Sequence, residues 1–283
     1  MAHSHSNLRT ALLACVIATA HPAATMAEEP ARVVFQNGRS IPISALALQA
    51  GNLVVTASAD GFNPGQSFPI LSADHVYGDK PAAINQAVAL LLTDKPKDAQ
   101  KLLEPVVTQH RLTAKIPGNF WLGAARALLV AYAVNGDSKP CADLGKEISD
   151  ATPAQGIDPF VSLGKALLLP PLTTKMEDRE IALRDLTTDN LPADVCAYAS
   201  FYRGELFKKE KRNPEALEAY LSVPCLYPSG GLILNAAAEL QGADFLSTLG
   251  RREEAVALVN SALRSSTGTV LVEEANKRLE SLK

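Results

Sequence analysis

The sequence predicts a mainly α-helical chain with a small antiparallel β unit near its N-terminus, and three observations lead to this fold class. Hydrophobic residues make up 47% of the 283 residues and aromatic residues only 5%, with Ala and Leu the commonest, which is typical of closely packed helices. Two stretches near the C-terminus repeat one spacing of small and apolar residues. Residues 32–77, in contrast, alternate between apolar and polar residues with a period of two.

Residues 1–27 have the pattern of a secretory signal peptide. A short polar start containing Arg9 precedes an apolar run from Leu12 to Ala20, and small residues lead to Ala27. The alternative is an ordinary N-terminal helix, but the acidic Glu28-Glu29 that follows is more typical of a mature N-terminus. We therefore predict secretion across the inner membrane, to the periplasm or the extracellular space. No later run is long and apolar enough for an integral membrane segment.

Residues 28–79 are predicted to form the β unit. Val33-Val34-Phe35 leads into Asn37-Gly38, a strong signal for a hairpin, and residues 41–48 alternate on its far side. Further short strands are predicted at residues 53–57, 68–71 and 75–77. The unit resembles the small barrels of the SH3 or Sm type, which implies short antiparallel strands around a single core. Because that core is small, we expect the unit to dock on the first helices.

Residues 80–283 are predicted to form antiparallel helix pairs joined by short loops. The five pairs span residues 82–110, 116–153, 156–188, 193–226 and 231–265, and a last helix spans residues 270–282. Pro105 is predicted to kink the second helix of the first pair or to end it early, because proline lacks a backbone N–H. The third pair has a long loop around Pro170-Pro171 and departs most from the common pattern.

The fourth and fifth pairs carry the most specific motif, a set of small and apolar residues at matching offsets. These residues are Gly204, Phe207, Ala216, Tyr220 and Pro228, then Ala243, Leu246, Gly250, Ala255, Val259 and Ala262. The spacing resembles that of the tetratricopeptide repeat (TPR), well over about 80 residues and loosely over about 200. The resemblance implies a TPR-like α-solenoid of stacked helix hairpins that ends in a capping helix.

In TPR proteins the inner helices of successive pairs line a concave groove that binds a protein or peptide. Carried over to this chain, the resemblance implies a partner-binding groove of seven residues: Arg126, Tyr198, Phe201, Glu205, Lys208, Asp244 and Ser247. Two aromatic residues and an arginine are typical of the energetic centre of a protein interface. The alternative is that Tyr198 and Phe201 pack against the third pair as core residues.

Three cysteines, Cys141, Cys196 and Cys225, follow the predicted signal peptide. Cys196 opens one predicted helix and Cys225 closes its antiparallel mate, so an oxidising compartment would allow a disulfide between them. The alternative is that all three are small buried apolar residues. Because there is no Cys-x-x-Cys and only His75 and His110 remain beside them, no metal site is predicted.

The sequence contains no catalytic or nucleotide-binding motif, so we predict neither an enzyme nor a cofactor. A net charge of −3 argues against a nucleic-acid partner. The favoured function is an exported, non-catalytic scaffold that binds a protein or peptide through a TPR-type groove, for example in envelope or secretion assembly. The alternative is a structural or oligomerising subunit that contacts its partners through the β unit. The oligomeric state is not fixed by the sequence.

Overall fold

The computed structural model describes residues 29–152, 156–170 and 176–282. The predicted signal peptide, residues 1–27, lies outside the described residues. Within them the chain is mainly helical, with a small antiparallel β region at the N-terminus. The strands are β1 (Arg32–Phe35), β2 (Ser40–Pro42), β3 (Leu46–Gln49), β4 (Asn52–Val55), β5 (Ser67–Pro69) and β6 (Ala73–Tyr77).

Five helix pairs and one last helix follow the strands along the chain. The helices are α1 (Ala82–Leu92), α2 (Pro96–His110), α3 (Trp121–Asn135), α4 (Ser138–Ala151), α5 (Pro159–Leu168), α6 (Met176–Arg184), α7 (Ala193–Lys209), α8 (Asn213–Leu226), α9 (Leu232–Thr248), α10 (Arg252–Ser265) and α11 (Leu271–Ser281). Local signals explain several ends. Gly136 adopts the left-handed conformation that closes α3, and Asp158 caps α5 just before Pro159.

The β unit consists of two three-stranded antiparallel sheets with the orders β2-β1-β6 and β3-β4-β5. The hairpin predicted around Asn37-Gly38 is present, since β1 pairs with β2 on either side of it. The predicted strand at residues 41–48 is interrupted, because a 3-10 turn at Ile43–Ala45 carries the chain from one sheet to the other. The two sheets share one core, in which Val33, Leu53 and Phe62 are buried.

The β unit docks at the C-terminal end of α2 and on the loop that follows it. Ile116 of that loop is buried in the core of the β unit. The backbone N–H of Val76 donates a hydrogen bond of 2.8 Å to the carbonyl oxygen of Pro117. Gly118 lies so close that a Cβ there would be 3.0 Å from the Val76 carbonyl oxygen. This loop therefore ties the strands to the helices.

The helix pairs form an inner and an outer layer. α1, α3, α5, α7 and α9 form the inner layer, and their pair mates pack on the outside. The inner helices are apolar over most of their circumference, as α3 shows with nine buried residues. The outer helices are amphipathic: α4 buries Cys141, Leu144 and Ile148 at helical spacing and exposes most other positions.

The inner layer closes on itself. Each inner helix contacts the next, and α9 returns to contact α1. The inner faces consequently pack against one another, and we call this arrangement the helical ring. α11 packs on α9 and α10 at the end of the chain. Among the described residues, no helix combines the length and the apolar character needed to cross a membrane.

The prediction that Pro105 would end the second helix early is wrong, because α2 runs through Pro105 to His110. A proline inside a helix removes one backbone hydrogen bond. Leu103, Val106 and Val107 are buried around this position, where α2 packs against α1 and α3. Tertiary packing therefore outweighs the local preference of the proline.

Candidate functional site

Two cavities lie at opposite ends of the helical ring. The first, about 570 Å³, is surrounded by the N-terminal ends of the inner helices, and we call it the N-terminal mouth. The second, about 730 Å³, is surrounded mainly by their C-terminal ends, and we call it the C-terminal mouth. Both have apolar and charged side chains in their walls, so either is large enough and polar enough to hold a ligand group.

The seven residues of the predicted groove do not form one continuous surface. Arg126 and Tyr198 line the N-terminal mouth. Phe201, Glu205 and Lys208 line the C-terminal mouth. The remaining two lie on α9, where Asp244 pairs with Arg278 of the C-terminal mouth and Ser247 is exposed. Closure of the ring separates positions that an open groove would bring together.

Two residues of the predicted groove, Tyr198 and Phe201, have largely buried side chains. Tyr198 is 7% exposed and Phe201 only 1%. The ring of Tyr198 meets Phe160 of α5 edge-to-face at 5.7 Å, and Phe201 meets Tyr220 of α8 at 5.6 Å. The contact with Phe160 is the packing against the third pair that the sequence left open as an alternative. Burial raises the pKa of Tyr198.

Arg126 in the N-terminal mouth is engaged by two carboxylates, of which Asp158 is fully buried. Its Nη2 and Nε donate hydrogen bonds of 2.6 and 3.2 Å to Oδ2 of Asp158. The other oxygen of Asp158 accepts a bond of 3.0 Å from the backbone N–H of Phe160, which caps α5. Asp194 lies 3.9 Å from Nη1 of the same arginine. The charge of Arg126 is thus balanced inside the protein, and it ties α3 to α5 and α7.

Several polar groups of the C-terminal mouth are also matched within the protein. Lys208 donates a hydrogen bond of 2.7 Å to Gln241 of α9. The hydroxyl of Tyr220 donates a bond of 2.7 Å to Glu205. Arg278 binds Asp244 through two bonds of 2.8 and 2.9 Å. These contacts join α7, α8, α9 and α11 around the rim.

Two polar groups in the same mouth lack such partners. The hydroxyl of Tyr202 is buried and has no hydrogen-bond partner among the described residues. Arg179 of α6 has an unpartnered Nε, and its Nη1 reaches only the carbonyl oxygen of Leu169 at 3.4 Å. Burial raises the pKa of Tyr202 and lowers the pKa of Arg179, because each charged form is poorly solvated. Six further buried polar atoms lack a partner elsewhere among the described residues, and this pair differs from them because both residues line one cavity.

The sequence analysis missed Arg179 and Tyr202. Arg179 lies in a run of charged residues at 177–180 that is typical of a solvent-exposed helix face. Tyr202 follows Tyr198 by four residues on α7, and the two rings stack with centroids 6.5 Å apart. Because residues four apart share a helix face, this spacing was the available signal.

The disulfide considered possible between Cys196 and Cys225 is not formed in the structure, where both thiols are free. Cys196 is buried, and its thiol donates to the carbonyl oxygen of Thr188 at 3.5 Å in the loop before α7. Cys225, in contrast, is exposed. Cys141 is buried, in keeping with the alternative of a small apolar residue.

The two histidines lie apart from both mouths. His75 is half-exposed and has its Nδ1 2.8 Å from Oδ2 of Asp74. His110 is buried at the end of α2, and burial lowers its pKa. Among the described residues, no group of three or more His, Cys, Asp or Glu side chains is placed to hold a metal ion.

Comparisons with known proteins do not place the chain in a family. No protein-family model, no curated protein and no solved structure matches it significantly. The resemblance to TPR proteins therefore depends on the residues and spacings described above.

Proposed function

We propose that this protein is an exported, non-catalytic scaffold that binds a protein or peptide partner at the C-terminal mouth of the helical ring. One observation carries the proposal. The C-terminal mouth is a cavity of about 730 Å³ lined by two residues with polar atoms that have no partner among the described residues. A partner that enters the mouth would satisfy those groups, and such a gain favours binding.

The packing of the repeat positions supports a TPR-like origin of the helix pairs. Gly204 lies where a Cβ would come within 2.6 Å of the Tyr220 ring, so the crossing of α7 and α8 requires a very small residue. Ala243 takes the place of Gly204 in the next pair, and Ala216 and Ala255 share a second repeat position. All three alanines are buried. The proposal places the partner at one end of the stacked helices instead of along an open groove.

Export is part of the proposal and depends on the pattern of residues 1–27. The natural setting for such a scaffold is the cell envelope or the extracellular space, where it would assemble other proteins. This setting is inferred by analogy with repeat scaffolds.

A photo-crosslinking experiment tests the proposed binding surface. The photo-reactive amino acid p-benzoylphenylalanine replaces Lys208 at the C-terminal mouth, Asn85 at the N-terminal mouth or Leu71 on the β unit. Each protein is irradiated in an envelope extract, and the captured species is identified and purified. We expect capture from Lys208 and none from Asn85. Capture from Asn85 alone would refute the choice of mouth.

The purified partner then allows a direct measurement of affinity. We expect the double variant Lys208→Glu and Lys209→Glu to weaken binding at least about tenfold, since it reverses two charges at the mouth. The matched control is Lys139→Glu, which reverses an exposed charge on α4. Equal affinity of the two variants would show that the partner does not use the C-terminal mouth.

The alternative, a structural subunit that makes its contacts through the β unit, is favoured by one observation. Leu71 is 84% exposed in a 3-10 turn of the β unit, which is more than any other large apolar side chain among the described residues. Capture from the Leu71 position, or crosslinking only to a second copy of the chain, would support this alternative and oppose the scaffold proposal.

A further inference from the structure

We propose that the C-terminal mouth binds a carboxylate group attached to an apolar group, with Arg179 and the hydroxyl of Tyr202 as the recognition pair. This inference depends on the proposed function, because it names the chemistry that the same mouth recognises. The carboxylate has two sources, a free carboxylic acid or the peptide chain of a partner. The experiment below separates these sources.

The charge of Arg179 is not balanced by any described carboxylate. Asp94, Glu205 and Glu274 also line the mouth, yet none has a carboxylate oxygen within 4.0 Å of a guanidinium nitrogen of Arg179. Glu205 accepts a hydrogen bond from Tyr220, and Glu274 pairs with Arg278. A ligand carboxylate would give Arg179 the partner that Arg126 already has at the other end of the ring.

Tyr202 lines the same cavity, and its hydroxyl is a second donor without a partner among the described residues. The pKa of Tyr202 is well above 10, so the hydroxyl keeps its proton at neutral pH and can donate it to an anion. A guanidinium fork beside a phenolic hydroxyl offers three donors to one planar carboxylate.

The surrounding wall decides which kind of anion fits. Leu91, Leu167 and Leu168 present apolar surface in the same cavity. A carboxylate with an apolar group next to it would bury that group against these leucines and place its charge on Arg179. A phosphate dianion fits less well, because Asp94 and Glu205 in the same wall repel its two charges more than the single charge of a carboxylate.

Ligand-observed NMR titrations of the purified protein test the proposal with two matched probes. N-acetyl-leucine carries a carboxylate beside an apolar side chain, and N-acetyl-leucinamide has the same shape without the charge. We expect the acid to bind at least about tenfold more tightly than the amide. Arg179→Gln should weaken binding of the acid at least about tenfold and change binding of the amide by no more than about twofold. Tyr202→Phe should weaken binding of the acid about three- to tenfold.

The control is Arg184→Gln, which removes an exposed arginine from the same helix. This variant should change the affinity for neither probe by more than about twofold. A melting temperature within about 2 °C of the wild type confirms that each variant is folded. Equal binding of acid and amide by the wild type, or an acid preference that survives Arg179→Gln, would overturn the proposal. Tighter binding of inorganic phosphate than of N-acetyl-leucine would also overturn it.

Octanoate as a third probe identifies the source of the carboxylate. Stronger binding of N-acetyl-leucine than of octanoate supports a peptide carboxylate, and the reverse order supports a free acid. Failure of this inference is distinguishable from failure of the proposed function. Partner affinity that is lost with the Lys208 and Lys209 reversals but unchanged by Arg179→Gln would refute the carboxylate site alone.

Discussion

At the N-terminal mouth of the helical ring, Arg126 is matched by carboxylates of the protein, whereas at the C-terminal mouth no described carboxylate pairs with Arg179. Arg126 binds the fully buried Asp158 at 2.6 Å and has Asp194 nearby. Arg179 reaches only a backbone carbonyl oxygen at 3.4 Å. An arginine with its own carboxylate holds helices together, while an arginine without one is available to a ligand. Pairing, and not residue type, separates the two roles.

The same contrast holds for two tyrosines, Tyr220 of α8 and Tyr202 of α7. The hydroxyl of Tyr220 donates to Glu205, and the hydroxyl of Tyr202 donates to no described group. Matched and unmatched groups therefore make different predictions for substitution. Changes to the matched groups should cost stability, and changes to the unmatched groups should cost little or raise it.

The largest expected loss of stability comes from breaking the ion pair between Asp158 and Arg126. Asp158→Ala leaves Arg126 without its main partner and removes the cap of α5, so we expect a loss of about 3–5 kcal/mol in the free energy of unfolding. Urea denaturation measures it. The control Asp143→Ala breaks an exposed pair with Lys139 and should cost less than about 0.5 kcal/mol. A loss below about 1 kcal/mol at Asp158 would remove the contrast between the two mouths.

The second-largest expected effect on stability tests the packing of α7 against α8. Gly204→Ala places a Cβ 2.6 Å from the buried Tyr220 ring, which cannot move without displacing its neighbours, and we expect a loss of about 1–3 kcal/mol. Gly123→Ala, in α3 at the N-terminal mouth, meets no atom within 4 Å and should gain about 0.5–1 kcal/mol. Thermal unfolding of both variants compares them. Equal effects would mean that the α7–α8 crossing is looser than the structure indicates.

The positions of the helices could be predicted from the sequence, because their signals are local. Periodic apolar residues and turn residues such as Gly136 and Gly250 place the ends of α3 and α9 close to where the structure has them. Closure of the ring could not be predicted. It depends on a contact between α1 and α9, and no short-range spacing reports a contact between segments so far apart in the chain.

The candidate site could be predicted only in part, for a related reason. In the structure α7 lies in the inner layer, and three residues of the predicted groove line the C-terminal mouth. The resemblance to TPR proteins could not show which charges are matched. Arg126 and Asp158 are separated by 32 residues, so their pairing is a property of the folded chain. For the same reason Arg179, which lies in a charged run, could not be recognised as an arginine without a described carboxylate partner.

Two tyrosine-to-phenylalanine substitutions test the difference between Tyr220 and Tyr202. Tyr220→Phe removes the hydrogen bond to Glu205 and should cost about 1.5 kcal/mol, the low end for a bond to a charged group because Glu205 stays partly exposed. Tyr202→Phe removes a buried hydroxyl that has no partner and should leave stability unchanged or raise it by up to about 1 kcal/mol. Urea denaturation without added ligand measures both. Equal losses would indicate that the Tyr202 hydroxyl has a partner after all.

The smallest effect concerns Glu239, which lies on α9 between the two mouths. Burial raises its pKa, and its Oε2 has no partner, although Ser261 donates to Oε1. A raised pKa means that the folded protein favours the protonated carboxyl group. Its contribution to the free energy of unfolding is therefore fully present below the pKa of the unfolded chain, about 4.3, and is lost as the pH rises through the folded pKa. Glu239→Gln keeps the bond from Ser261 and removes the buried charge. It should therefore stabilise the protein at pH 7, by less than about 1 kcal/mol because Arg264 offsets part of the cost.

Urea denaturation of wild type and Glu239→Gln at several pH values measures this effect. The difference between the two proteins should shrink as the pH falls and vanish below about pH 4, where the unfolded and folded carboxyl groups are both protonated. Glu253→Gln, at the exposed start of α10, is the matched control and should show no such trend. A variant that is less stable than the wild type at pH 7 would mean that Glu239 is a matched group like Asp158.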